Sequence, residues 1–114
     1  MPIDEVGPQA AKAKQDEGWA YLDVRTPEEF AEGHPVGAVN IPVAFAGQGA
    51  YVPNPDFVDQ VKARFTQDTR LLLGCRSGGR SMHAGALLSA AGYSQLLNVG
   101  QGFQGWTAAG LPTE

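Results

Sequence analysis

Leu71-Leu72-Leu73, bounded by Arg70 and Gly74, is a short unbroken apolar run. A strand with one wet face alternates apolar with polar residues, so three leucines in succession predict a strand covered on both faces, as in a parallel sheet between helices. The rest of the chain supplies matching pieces. Pro8 opens a helical stretch from Ala10 to Glu17 that Gly18 closes, and Ala20-Tyr21-Leu22-Asp23-Val24 follows as a second buried strand. Thr26-Pro27-Glu28-Glu29 has the pattern of a capping box with proline at the first helical position, which predicts a short helix to about Glu32. Gly37 to Ile41 reads as another short strand, and residues 42–54, rich in Gly and Pro, as a long loop. Asn54-Pro55 begins a helix with Phe57, Val58, Val61 and Phe65 on one stripe. A six-residue loop then follows Gly74, and the next helix carries Ala84, Leu87, Leu88 and Ala91 and stops at Gly92. Gln95 to Val99 is a further strand, and Phe103 to Ala109 a last helix. Strands alternating with helices predict one α/β domain over residues 1–114, with a parallel sheet of about five strands and helices on both faces.

With 114 residues the chain accommodates one compact core and one site. Its net charge of −4 argues against nucleic-acid binding, and no apolar run has the ~20 residues needed to span a bilayer. Met-Pro-Ile-Asp-Glu has neither the features of a secretory signal nor those of a transit peptide, so the expectation is a soluble protein of a reducing compartment: the cytosol, or a plastid or mitochondrion if a targeting segment was removed. Charge is unevenly distributed. Residues 1–68 hold five Lys/Arg against eleven Asp/Glu, whereas residues 69–114 hold Arg70, Arg76 and Arg80 against Glu114 alone. An anion would therefore settle in the second half.

Chemistry concentrates at Cys75-Arg76-Ser77-Gly78-Gly79-Arg80-Ser81, between the leucine strand and the next helix. Ligands of open parallel sheets bind beyond the carboxyl ends of the strands, where loops lead into helix N-termini. Loop N–H groups and the helix dipole would stabilise a thiolate at Cys75, and Arg76 and Arg80 would lower its pKa further and hold an anion. A lone cysteine at a strand end is most often a core residue. Two arginines and two glycines within five residues are not what a core cysteine needs. With a single cysteine no intramolecular disulfide forms.

Other signals are weaker. Gly74 to Ser81 spells a P-loop whose lysine is replaced by arginine, and Gly100-Gln101-Gly102-Phe103-Gln104-Gly105 matches a dinucleotide fingerprint with only nine residues after it. The second reads as a turn before the last helix. His34 and His83, without a second cysteine, make no convincing metal site; His34 reads as a turn residue and His83 as solvent-facing. Trp19, Trp106 and Phe30 read as core, and Phe45 and Tyr51 as candidates to line an entrance covered by residues 42–54.

Tyr21-Leu22-Asp23-Val24-Arg25, Glu28 to His34, Gly37 to Pro42, the Cys75 loop, and Asn98-Val99-Gly100 through Trp106 together resemble the rhodanese family over nearly the whole chain. The insert before Asn54 and the loop itself are most similar to its plant-type single-domain thiosulfate sulfurtransferases. Pro35-Val36 departs from the family's usual order at a turn. The resemblance implies a rhodanese fold and ping-pong sulfur transfer, in which a Cys75 persulfide takes sulfur from thiosulfate or a related donor. Cyanide, glutathione or a thioredoxin-like thiol would accept it, with no metal or organic cofactor. It assigns Cys75 as catalytic, Arg76, Ser77, Gly78, Gly79, Arg80 and Ser81 to substrate binding, and Asp23, Arg25 and Glu28 as supports, with Arg25 expected to pair with Glu28. The rival enzyme class is a cysteine-dependent arsenate reductase or phosphatase on the same fold; the other alternative is an inactive binding module, which would be expected to lose the cysteine. Four residues separate Cys75 from Arg80, one fewer than in the cell-cycle dual-specificity phosphatases that share the fold.

Overall fold

A computed structural model describes residues 3–114. Five parallel strands form the central sheet: β1 (Glu5–Val6), β2 (Ala20–Asp23), β3 (Val39–Asn40), β6 (Leu71–Gly74) and β7 (Leu96–Val99), in the spatial order β1-β7-β6-β2-β3. The leucine strand is the central one. Its alternation divides the core, because successive side chains of a strand point to opposite faces. Leu71, Leu73 and Cys75 face α3 (Phe57–Arg64) and α4 (Gly79–Ala90), packing with Leu22, Val61, Ala84 and Leu88. Leu72 faces the other way, onto Tyr21, Val99 and Trp106, and onto Ala11 of α1 (Pro8–Asp16). Truncating so enclosed a leucine to alanine costs roughly 2–5 kcal/mol.

Register aligns the carboxyl ends. Asp23 pairs with Gly74, Leu73 with Asn98, and Asn98 with Glu5, so residues of four strands meet at one edge of the sheet. That edge receives the N-termini of α2 (Pro27–Glu32), α4 and α5 (Gly102–Ala108).

The expected α/β architecture is present, with several local differences. Residues 42–54 are not an open loop: β4 (Ala44–Ala46) and β5 (Tyr51–Pro53) pair antiparallel as a hairpin. Its Gly and Pro content disguised two three-residue strands joined by residues 47–50. β1 has only two residues, too few for any period to appear. The third helix begins at Phe57 rather than Asn54, because the Asn54 side chain accepts the Asp56 N–H at 3.0 Å and forms a turn there. Leu87 lies on the exposed side of α4 rather than in the core. Phe30 is half-buried and stacked on His34, with ring centroids 3.6 Å apart, and Trp19 is half-buried; Trp106 is fully enclosed.

Candidate active site

The leucine strand ends where the loop begins, so Cys75 continues the Leu71–Leu73 face and its sulfur is buried beneath the turn. Gly78, at φ +115° in the left-handed region that glycine alone adopts cheaply, reverses the chain ahead of α4. The reversal aims the Gly78 N–H at the Cys75 sulfur, 3.0 Å away. The Ser81 hydroxyl, from the first turn of α4, lies 3.4 Å from the same atom. Burial pushes the Cys75 thiol up, but hydrogen bonds from the Ser81 hydroxyl and from the N–H groups of Ser81, Gly78 and Ser77 together outweigh it. The thiol is left below its ordinary value of 9.0.

The loop is held from behind by the start of α5. Phe103 N–H donates to the Cys75 carbonyl at 2.7 Å and Gln104 N–H to the Arg76 carbonyl at 3.1 Å. With those carbonyls drawn outward, the following N–H groups turn toward the sulfur. Gly102 makes the approach possible: a Cβ there would stand 2.2 Å from the Cys75 oxygen. The Gly-x-Gly segment is therefore the back wall of the loop.

Asp23 and Arg25 are buried at the end of β2 and pair with each other, Arg25 Nη2 lying 2.7 Å from Asp23 Oδ2 and 2.7 Å from the Gly33 carbonyl. Arg25 thus takes Asp23 rather than the expected Glu28. Glu28 is exposed and makes no hydrogen bond or ion pair among the described residues. The carboxylate that α2 presents to the loop is Glu29, because the third helical position is the one that reaches back to the cap. Glu29 accepts from the Thr26 N–H at 3.1 Å and, through both oxygens, from Arg80. The residue was visible in the capping box, but its second role depends on α4 lying opposite.

Arg80 is accordingly held by Glu29, and its guanidinium lies 4.2 Å from the centre of the Tyr51 ring on the hairpin. Arg76 and Ser77 are exposed. Two clefts flank the loop. One of about 500 Å3 is lined by Arg25, Glu29, Arg76, Phe103 and Gln104; the other, about 250 Å3, by Val43, Tyr51, Pro53, Arg80 and His83. Glu29 lines the first and its ion-pair partner Arg80 the second. Among the described residues no group of three or more His, Cys, Asp or Glu is placed to hold a metal ion, and no helix is long and apolar enough to cross a membrane.

Residues 7–109 match the family model described as a rhodanese-like domain, and the chain belongs to the rhodanese family. It is 44% identical over 97 residues to thiosulfate sulfurtransferase 16, chloroplastic, of Arabidopsis thaliana, covering 85% of this chain and 81% of that one. It is 40% identical over 109 residues to the protein HIGH ARSENIC CONTENT 1, mitochondrial, of the same plant, covering 96% of this chain and 64% of the relative's length. Among solved structures, Rv0390 from M. tuberculosis superposes with a TM-score of 0.84 over the whole chain and 98% of its own, at 24% identity, a likeness of fold.

Proposed function

We propose that the protein is a thiosulfate sulfurtransferase whose sulfur carrier is Cys75. The observation that carries this reading is the buried sulfur facing the Gly78 N–H at 3.0 Å with the Ser81 hydroxyl beside it. Those donors suit a thiolate and, equally, the anionic terminal sulfur of a persulfide. In the first half-reaction the Cys75 thiolate attacks the outer sulfur of thiosulfate. A new S–S bond forms, the bond to the inner sulfur breaks, and sulfite leaves with its electron pair. In the second, cyanide or a thiol such as glutathione or a thioredoxin-like protein attacks the terminal sulfur and the Cys75 thiolate is regenerated. Ser77, Gly78, Gly79 and Ser81 cradle the sulfur, and Arg76 and Arg80 bind the sulfonate end of the donor. Asp23 and Arg25 brace the edge on which the loop rests. The relatives' names support a plastid or mitochondrion as the compartment.

Intact mass after incubation with thiosulfate tests the reading: the wild-type chain retains one sulfur atom, and Cys75→Ser, folded, retains none and has no thiocyanate-forming turnover. Turnover in the pure serine variant would refute it. The relative named for arsenic content favours cysteine-dependent arsenate reduction as a second reading, for which arsenite release from arsenate with a thiol reductant is the corresponding assay.

A further inference from the structure

Behind the sulfur, Ser81 and Asn98 are both fully enclosed and bonded to each other, Ser81 Oγ reaching Asn98 Oδ1. Asn98 in turn donates from Nδ2 to Oε1 of Glu5, its partner across the β1–β7 ladder, at 3.1 Å. Ser81 Oγ also lies 3.4 Å from Cys75 Sγ and 3.1 Å from the Gly78 carbonyl. A hydroxyl has one hydrogen. A carboxylate only accepts, so Glu5 fixes the Asn98 amide with its NH2 toward β1 and its carbonyl toward Ser81. That carbonyl also only accepts, and it competes, beside the Gly78 carbonyl, for the hydrogen of Ser81.

We propose that Asn98, oriented by Glu5, is a positioning residue that competes with Cys75 for the single hydroxyl proton of Ser81 and so sets the balance between thiol and thiolate. While the proton lies on the Asn98 side, Ser81 offers the sulfur a lone pair and accepts from the thiol S–H. When the thiol proton leaves to solvent, Ser81 turns its hydrogen to the thiolate and Asn98 Oδ1 loses its donor. Ionising Cys75 therefore includes the cost of breaking the Ser81–Asn98 bond. Tyr21 of β2 and Arg80 of α4 lie within electrostatic reach of Cys75; neither they nor Asp23, Arg25, Glu29, Arg76 or His83 on the neighbouring elements hydrogen-bond to Ser81 or Asn98 among the described residues. The inference rests on Cys75 being the nucleophile, yet its readout is ionisation of the thiol rather than sulfur transfer.

The rate of Cys75 alkylation by iodoacetamide against pH, in the full chain, is the test. Asn98→Leu removes the competing carbonyl, and the midpoint is expected to fall by about one pH unit. Glu5→Ala, at an exposed residue, removes the acceptor of Asn98 Nδ2, releases the amide and moves the midpoint the same way. Ser81→Ala raises it, and neither substitution moves it further once Ser81 is gone. Unchanged midpoints in Asn98→Leu and Glu5→Ala overturn the proposal. So does a shift that persists in the Ser81→Ala background, which would mark a field effect or general loosening. Should Asn98→Leu not fold, Glu5→Ala with and without Ser81→Ala decides alone. Failure to retain sulfur from thiosulfate would refute the sulfurtransferase reading while leaving the alkylation result to stand or fall separately.

Discussion

Arg80 and Glu29, 51 positions apart, meet through a two-pronged ion pair with N–O distances of 2.6 and 3.0 Å. The pair ties the capping box of α2 to the first turn of α4, and Tyr51 brings the hairpin onto the same guanidinium. An arginine so held is pre-positioned beside the thiol, and the fork geometry leaves less conformational freedom to lose when an anion binds. In this half-buried setting the pair itself adds about 1 kcal/mol of stability or less. Its larger consequence is placement.

Arg80→Ala is expected to lower kcat/KM for thiosulfate roughly 10- to 100-fold, the equivalent of one charge-assisted hydrogen bond. Arg80→Lys restores little, since an ammonium cannot span Glu29 and the donor together. Arg76→Ala, at an exposed residue with no hydrogen-bonded or ionic side-chain partner among the described residues, has a smaller effect in the same direction. Steady-state thiocyanate formation checks all three, and an unchanged kcat/KM in Arg80→Ala would remove that residue from donor binding.

The same pair makes stability depend on pH. The Arg80 hydrogen bonds lower Glu29 from its ordinary 4.5 to about 2, against the opposing effect of burial and with help from Thr26. A carboxylate whose folded value is depressed contributes stability that is complete above its unfolded value and is lost as pH falls through the folded one. The difference in urea midpoint between the wild-type chain and Glu29→Gln should therefore be constant above about pH 5 and shrink between there and pH 2. A difference that grows on acidification would contradict the ion pair.

Leu71-Leu72-Leu73 was enough to foresee a covered parallel strand, and the turn after it enough to place Cys75 at the sheet's carboxyl edge. The capping box at Thr26 was legible because all its partners lie within three residues. Features without a local pattern depend on distant partners. Glu5–Val6 is a strand only because Val99 and Asn98 lie beside it, and Glu29 joins the site only because α4 brings Arg80 within reach. The predicted Arg25–Glu28 pair does not form because Asp23, two residues away, folds back onto the guanidinium. Asn98 stands out in the sequence only as the start of the Asn98-Val99-Gly100 motif, and its position between Ser81 and Glu5 emerges only once the strands and α4 are assembled.

Gly102 should be among the least replaceable residues outside the loop. Alanine there meets the Cys75 carbonyl at 2.2 Å and must also adopt φ +50°. Overpacking and backbone strain together predict a loss of about 2–4 kcal/mol, with the loop displaced and sulfur transfer abolished. Gly110→Ala is the control: its φ of +72° is unfavourable, but nothing lies within 4 Å of the added carbon. Its cost should stay near 1 kcal/mol with activity retained. Denaturant unfolding beside thiosulfate turnover separates the two, and equal costs would mean that Gly102 acts through backbone strain alone.

The size of the loop is expected to decide which anion it serves. Four residues lie between Cys75 and Arg80, and Gly78 N–H and Ser81 Oγ already stand 3.0 and 3.4 Å from the sulfur. A ring that closes on the cysteine at that distance suits one terminal sulfur. A phosphoryl or arsenyl group brings several oxygens and a trigonal transition state, which need a wider circle of donors. The back wall holds the first part of the loop, where Phe103 and Gln104 anchor the Cys75 and Arg76 carbonyls. Thiosulfate:acceptor activity is therefore expected with little or no hydrolysis of aryl phosphates, and arsenate reduction at most as a side reaction. Inserting one glycine between Gly78 and Gly79 enlarges the ring, and it should lower sulfur transfer while raising aryl phosphate hydrolysis. The measurement is the ratio of thiocyanate production to aryl phosphate hydrolysis in the unaltered chain and in the insertion variant. Comparable rates in the unaltered chain would transfer the site to phosphate chemistry, and an unchanged ratio after insertion would show that ring size is not what selects the anion.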